Sequence, residues 1–529
     1  MPRFLFFRFI LIGSVCANPF LFGQVSSDEK YTLSGSVANS ISSEPIQRAL
    51  VTLRPNPSER SREKNDLTSR QVLTDQSGAF SFTSLNAGSY RVTAQKPQFQ
   101  TNRAADVVTL GPSRSNVALK LEPQSTVEGT VLDDSGLPIQ GVSIQAVRAV
   151  VSEGRRTFRT DRTVTTDDRG RYRIWNLNPG SYYMRIAGRA GGTRSYLGDN
   201  APLVEWPQAV APIYQGRAAD RSSATPLVVS PGQHLAVDFN EPLRPAFKVR
   251  GNLTNYEAHA KIVVQLLTPE GEPVSARISV NEANGRFQVN DVTPGVYRLT
   301  ATQGVGETRL QGECEVRVSA GDVEGVELSL QRGIDLFVTQ RCDAKKEPAE
   351  ETPCFAAMEL RLGDTSFHSG QDGSGQMVFR NLSPGRYTWK VQGFSGYVAA
   401  VSLGSEPLIP GSAIQLRAGL QPERVELLLR SDGASIQGEI SQEIRKWTPG
   451  IVAVPDFESL TGPVEGHPTE DGKFLVPNLA PGNYTVFAVP RLRETAYLEP
   501  DVLRGFTNGF HVKVAPAGVA EVTITGVSQ

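Results

Sequence analysis

Chemically versatile side chains are scarce in this chain. Its 529 residues include five histidines, four cysteines and four methionines. The histidines, at His234, His259, His368, His467 and His511, are too far apart in sequence to suggest a metal cluster. Neither sign of charge dominates, with 54 Lys and Arg against 55 Asp and Glu. That balance lacks the basic excess needed for nucleic acid as the main partner, and it provides no polybasic membrane anchor. Beyond the N-terminal stretch no apolar run reaches the ~20 residues of a membrane-spanning helix. There is no G-x-S-x-G elbow and no P-loop, and "GVGETR" from Gly304 lacks the third glycine of a nucleotide loop. The "DDSG" at Asp133 and "DGSG" at Asp372 lack the ligand ladder of a calcium loop and read as turns. Paired carboxylates such as Asp167 and Asp168 have no evident partner for acid–base work. Neither an enzyme nor a cofactor is expected.

Glycine (49) and proline (35) are abundant, as in a turn-dense β protein. The N-terminus carries Arg3 and an apolar run from Phe4 to Val15, interrupted by Arg8 and about as long as a signal h-region. Val15 and Ala17 suit the −3 and −1 sites of cleavage before Asn18, and a second cut falls after Gly23. Cys16 lacks the leucine that would precede a lipoprotein cysteine. Residues 1–23 are therefore expected to be a signal peptide. The remainder is expected to be exported to the periplasm, the outer-membrane surface or the exterior, with no transmembrane span. Cys342 and Cys354 flank a polar segment and form a candidate disulfide, permitted outside the cytoplasm. Cys314, in "ECEVRVS", reads as a small buried residue.

One phrase recurs five times. "TDDRGRYRIWNLNPGSYYMRIAG" begins at Thr166, with counterparts starting at Thr74, Asn281, Gln371 and Glu470. In the Thr166 copy, Tyr172 and Ile174 alternate with Arg171, Arg173 and Trp175, the period of a strand with one buried face. A turn at Pro179 and Gly180 leads to a second alternation through Tyr182, Met184 and Ile186. Across the copies the turn glycines are Gly78, Gly170, Gly285, Gly375 and Gly472. The second glycines are Gly88, Gly180, Gly295, Gly385 and Gly482, each followed two residues on by Tyr90, Tyr182, Tyr297, Tyr387 or Tyr484. These tyrosines are expected to anchor a strand corner. Most units open with a strand centred on glycine (Gly35, Gly129, Gly251, Gly438), whereas the fourth opens with "IDLFV". Each unit closes with an alternating strand such as Val117, Leu119 and Leu121.

Successive turn glycines lie 92, 115, 90 and 97 residues apart. This spacing predicts an all-β tandem array of about five antiparallel, Ig-like sandwiches, each an independent bead rather than one turn of a solenoid. The expected domains span 29–123, 124–246 with a long insertion, 247–332, 333–432 and 433–529.

The order strand–glycine–strand, "P-x-x-G/A-V", "D-x-x-G-x-F/Y", "L-x-P-G-x-Y-x-V" resembles the carboxypeptidase regulatory-like domain, a seven-stranded transthyretin-like sandwich similar to Cna-B repeats. The resemblance is close in the first two units, good in the fifth and looser in the third and fourth. Asn281 and Thr469 stand where the pattern has aspartate. The family name raises the zinc motif H-x-x-E, and "HPTE" at His467 matches its spelling. Three protein ligands and an open position are needed for catalytic zinc, and no catalytic domain accompanies the motif, so it reads as a polar loop.

Seven arginines, at 155, 156, 159, 162, 169, 171 and 173, crowd one predicted hairpin against four carboxylates. They read as a solvated face or as a patch for an anionic polysaccharide. Trp389 shares the parity of Tyr387 and Val391 and reads as core, while Trp175 has the outward parity. Trp206 and Trp447 fall in loops. Candidate ligand contacts are therefore Trp175, Arg171, Arg173 and Arg159, with an interdomain contact as the competing reading of Trp175. The functional expectation is a non-enzymatic structural or adhesive protein of the cell envelope whose partner is a protein or polysaccharide surface. The alternatives are a polysaccharide-binding protein and an accessory partner of an outer-membrane transport system.

Overall fold

A computed structural model describes residues 30–55, 69–100, 105–110, 116–189, 207–343, 354–371, 376–469 and 471–528. The N-terminal segment 1–23, Gly375, Trp206, Asp372, Glu470 and most of the long insertion lie outside them. The described chain is all β. Its α-helices are two short ones, Gln442–Arg445 and Pro500–Arg504. Among the described residues no helix is long and apolar enough to cross a membrane.

The chain divides into two compact units, one ending at Gln124 and one beginning at Ser125. The first is a sandwich of two sheets around a core running from Leu33 to Leu121. One sheet has the order Ala79–Leu85, Tyr31–Asn39, Asn116–Leu121; the other has Arg70–Leu73, Leu50–Pro55, Gly88–Gln95, Ala105–Leu110. Its opening strand pairs antiparallel with the hairpin strand and parallel with the closing strand. The second unit repeats this plan around four more cores: Val127–Phe239, Phe247–Leu330, Ile334–Leu429 and Ala434–Ile524. These cores mark the second to fifth sandwiches.

The central glycine of the opening strand is required by close approach. A Cβ at Gly35 would lie 2.3 Å from the Val117 carbonyl oxygen of the parallel closing strand and 2.4 Å from Cζ of Phe80. Gly251 and Gly438 face the same crowding from Val326 and Phe287, and from Val522 and Phe474. A ring laid over a strand glycine fills the volume the glycine leaves. In the second sandwich the ring is Tyr172, whose hydroxyl donates to the Val237 carbonyl at 2.6 Å. The fourth sandwich makes the complementary exchange. Val338 takes the glycine's register position, and the flexible Met377 takes the ring's.

The repeated phrase folds as two strands joined through a bulge and a corner. At its start the Asp167 carboxylate accepts the backbone N–H of Arg169 and of Arg171, at 2.9 and 2.7 Å, and Gly170 turns the chain at φ 69°. Asn281 takes the same role, accepting from Ala283 at 3.0 Å. At its end every tyrosine hydroxyl donates to the carbonyl four residues back. Tyr90, Tyr182, Tyr297, Tyr387 and Tyr484 reach Asn86, Asn178, Thr293, Ser383 and Ala480 at 2.8–3.1 Å. Burial pushes the Tyr387 phenol up to about 12 and raises those of Tyr182, Tyr297 and Tyr484 as well.

Candidate functional site

The outward row lies on strand Arg171–Leu177. Arg171, Arg173 and Trp175 point away from the core, and Trp175 is 62% exposed. Arg173 sits 3.8 Å from Glu128, an ion pair too exposed to contribute much. Arg159 does not join this row. It lies on strand Arg155–Thr165, in the opposite sheet, with Asp161 3.7 Å away. The predicted arginine hairpin is thus two strands in different sheets. Arg155–Thr165 pairs instead with Ser143–Ser152 through a two-residue turn, Glu153–Gly154, with φ positive at both positions.

This hairpin carries the arginines into contacts between sandwiches, and the last four sandwiches are not separate beads. At its tip the Gly154 carbonyl accepts the Leu498 N–H at 2.8 Å. The Arg156 N–H donates to Glu499 at 2.8 Å, and the Arg156 guanidinium lies 3.7 Å from the same carboxylate. A second seam centres on Glu272 of the third sandwich. Arg185 of the second, 2% exposed, lies 3.3 Å from it, Arg221 lies 3.1 Å from it, and the Tyr214 hydroxyl also donates to it. Burial and the bond to Glu272 raise the Tyr214 phenol. Arg221 extends to Asp364 of the fourth sandwich at 3.4 Å. Glu272 is half-buried, and stripping a partner from a carboxylate so fully partnered is costly.

The remaining seams use the bulge. The residue before each repeat's apolar anchor has left-handed φ: Ser84, Asn176, Asp291, Asn381 and Asn478 lie between 57° and 64°. The strand ladder slips at the same place in each repeat. Asn381, on the fourth sandwich, accepts the Gly333 N–H at 2.6 Å and donates to the Gly306 and Arg309 carbonyls of the third at 2.9 and 2.8 Å. Asn478, on the fifth, accepts the Gly396 N–H at 3.1 Å and donates to the Phe394 carbonyl of the fourth at 2.9 Å.

Where the second, fourth and fifth sandwiches meet, they border a half-open cavity of about 850 Å³. Its lining includes Glu153 from the hairpin tip, Glu359, His368, Lys390 and Phe394 from the fourth sandwich, and Glu465, His467 and Tyr497 from the fifth. Burial holds the Lys390 ammonium below its ordinary value, against the pull of Glu359. The Tyr497 phenol is raised by burial and by its hydrogen bond to Glu465. His467 is largely exposed, 3.8 Å from Glu465. Among the described residues no three His, Cys, Asp or Glu side chains are grouped to hold a metal. Cys342 and Cys354 are disulfide-bonded, and Cys314 is a half-buried free thiol.

The sequence profile of the carboxypeptidase regulatory-like domain matches residues 32–122 and again 126–240. Each match spans one sandwich, so the first two sandwiches are similar to carboxypeptidase regulatory-like domains. Over 258 residues the chain is 25% identical to Colossin-A of Dictyostelium discoideum, a match covering 43% of this chain and 2% of that protein's length. Among solved structures it is similar to GBS52, the minor pilin of Streptococcus agalactiae (15% identity, 41% of this chain and 97% of the pilin, TM-score 0.23). It is also similar to the shaft pilin SpaA of Lactobacillus rhamnosus GG (11% identity, 40% and 97% covered, TM-score 0.20).

The two matched sandwiches share a feature outside the repeated glycines and tyrosines. Thr74 and Thr166 precede the turn aspartates and are buried. Each hydroxyl accepts one backbone N–H (Ala49, Val142) and donates to one carbonyl (Ile46, Ile139). The "TD" shared by these two copies alone was the available signal. The bulge asparagines were likewise visible as "NL" before a "PG" turn, at Asn381 and Asn478. Neither the hairpin tip nor the cavity has a signal in local sequence, since both are made by segments hundreds of residues apart.

Proposed function

We propose that the chain is a non-enzymatic, exported scaffold of the cell envelope, built of domains 29–123, 124–246, 247–332, 333–432 and 433–529. The seams carry this reading. Backbone-directed bonds from Asn381, Asn478, Gly154 and Arg156, with the Glu272 network, join four sandwiches into one body. Such a body suits holding partners at a fixed spacing better than flexing between them. Crosslinking in intact producing cells, followed by fractionation, tests it. The expected result is recovery outside the cytoplasm joined to the same envelope protein in repeated preparations. Recovery of uncrosslinked chain from the cytoplasm would refute it.

A second reading, polysaccharide binding, is favoured by the outward face of Trp175 beside Arg171 and Arg173. Binding to a glycan panel that is lost in Trp175→Ala would support it, and a panel with no bound member would sink it.

A further inference from the structure

Two charged side chains that line the junction cavity, Glu359 and Lys390, have no hydrogen-bond partner among the described residues. Glu359 Oε1 is buried and accepts no hydrogen bond, and its nearest cation, Arg361 Nε, is 3.8 Å away. Lys390 lies directly opposite Glu359 on the neighbouring strand. Its ammonium lines the cavity and makes no hydrogen bond or ion pair among the described residues. A carboxylate only accepts and an ammonium only donates, whereas a hydroxyl does both. A bare cation would suit Glu359 and be repelled by Lys390, and a bare anion would meet the reverse. Neighbouring hydroxyls on a neutral ring satisfy both without adding charge. The space is adequate, at about 850 Å³.

The rim adds an aromatic surface. Phe394 lines the cavity and stacks on Phe355, with ring centroids 5.9 Å apart and planes inclined by 24°. Both are exposed, at 54% and 41%, although an aromatic pair of this size is normally buried. The Asn478 latch holds the Phe394 backbone, so the rim is fixed relative to the fifth sandwich. Glu465 and Tyr497 complete the opposite wall.

We propose that this cavity, rather than the Trp175 row, binds a neutral oligosaccharide, with Glu359 and Lys390 holding ring hydroxyls and Phe394 carrying a sugar face. The proposal rests on the saccharide ligand class of the reading above and moves its site from the Trp175 row to the cavity. The test uses the full mature chain against cellohexaose, maltohexaose, xylohexaose and chitohexaose, with alginate as an anionic comparison. The variants are Glu359→Gln, Phe394→Ala and Trp175→Ala, each first shown to keep the wild-type unfolding transition. The expected result is binding of at least one neutral hexaose, weakened at least tenfold in Phe394→Ala and Glu359→Gln and unchanged in Trp175→Ala. Because Phe394 is exposed, its variant tests the site even if Glu359→Gln fails to fold. Binding lost only in Trp175→Ala, or binding of alginate alone, overturns the cavity assignment and leaves the polysaccharide reading standing. Binding of none of the five probes overturns both.

Discussion

Replacing Asn381 tests the bonded seam most directly. Its side chain makes three hydrogen bonds to backbone groups, one to Gly333 and two to the third sandwich. Each contributes about 1 kcal/mol net. Alanine removes all three and also lacks asparagine's tolerance of the left-handed backbone at φ 57°, which costs about 1 kcal/mol more. Asn381→Ala should therefore weaken the junction, counting the Gly333 link and the two crossing bonds together, by about 4 kcal/mol, and Asn381→Gly, free of the backbone cost, by about 3 kcal/mol. Hydrogen-exchange mass spectrometry on the full chain reads this locally. The Gly333 amide, bonded to Asn381 Oδ1, should exchange at least about a hundredfold faster in either variant, and faster in Asn381→Ala than in Asn381→Gly. Peptides from strand Tyr31–Asn39 should not change. Gly333 exchange within threefold of wild type in Asn381→Ala would refute the claim that this side chain holds the link between the third and fourth cores.

Gly35→Val should destabilise the first sandwich by about 3 kcal/mol and Phe80→Met by about 1–2 kcal/mol. The pair together, copying Val338 and Met377, should cost at least ~1 kcal/mol less than the sum in a double-mutant thermal series, and strict additivity would contradict the exchange of volumes. Tyr182→Phe removes the one hydroxyl proton shared between the Asn178 carbonyl at 2.8 Å and the Asp161 carboxylate at 3.0 Å, and should lower the stability of the second sandwich by about 2 kcal/mol. An unchanged melting temperature would count against the corner. The Tyr387 phenol, pushed from 10.0 up to about 12, remains protonated in the fold after the unfolded chain has ionised. Its contribution to stability is therefore complete below pH 10 and declines toward pH 12. Alkaline titration of the fourth sandwich should show that decline shrinking in Tyr387→Phe.

Much of the fold was legible because period-two alternation and turn glycines are local properties of the chain. They located the strands of all five repeats, the buried parity of Tyr172 and Ile174, and the exposure of Trp175. What covers an outward face is not a local property. Arg155 and Arg156 looked no different from Arg171 and Arg173, yet Arg156 meets Glu499 while Arg171 faces outward. The bulge residues show the same limit within one repeat position. Asn381 and Asn478 reach the preceding sandwich, whereas Asp291 bonds to Arg277 in its own sandwich at 2.8 and 3.2 Å. The requirement for left-handed φ selects Asn, Asp or Ser there, and the spacing of the neighbouring body decides whether that side chain becomes a fastener.

The contact at the hairpin tip fixes an order of events. Arg156 and Glu499 are 343 residues apart in sequence. Chain growth proceeds at roughly 5–20 residues per second, so the tip emerges tens of seconds before its partner exists. During that interval the Gly154 carbonyl and the Arg156 amide must be satisfied by water or by a passing chain. The second sandwich can pack its own core at once, but the body that borders the cavity closes only when the last hundred residues arrive. A chain ended before Tyr497 would keep a well-formed hairpin and leave its tip a permanently open edge.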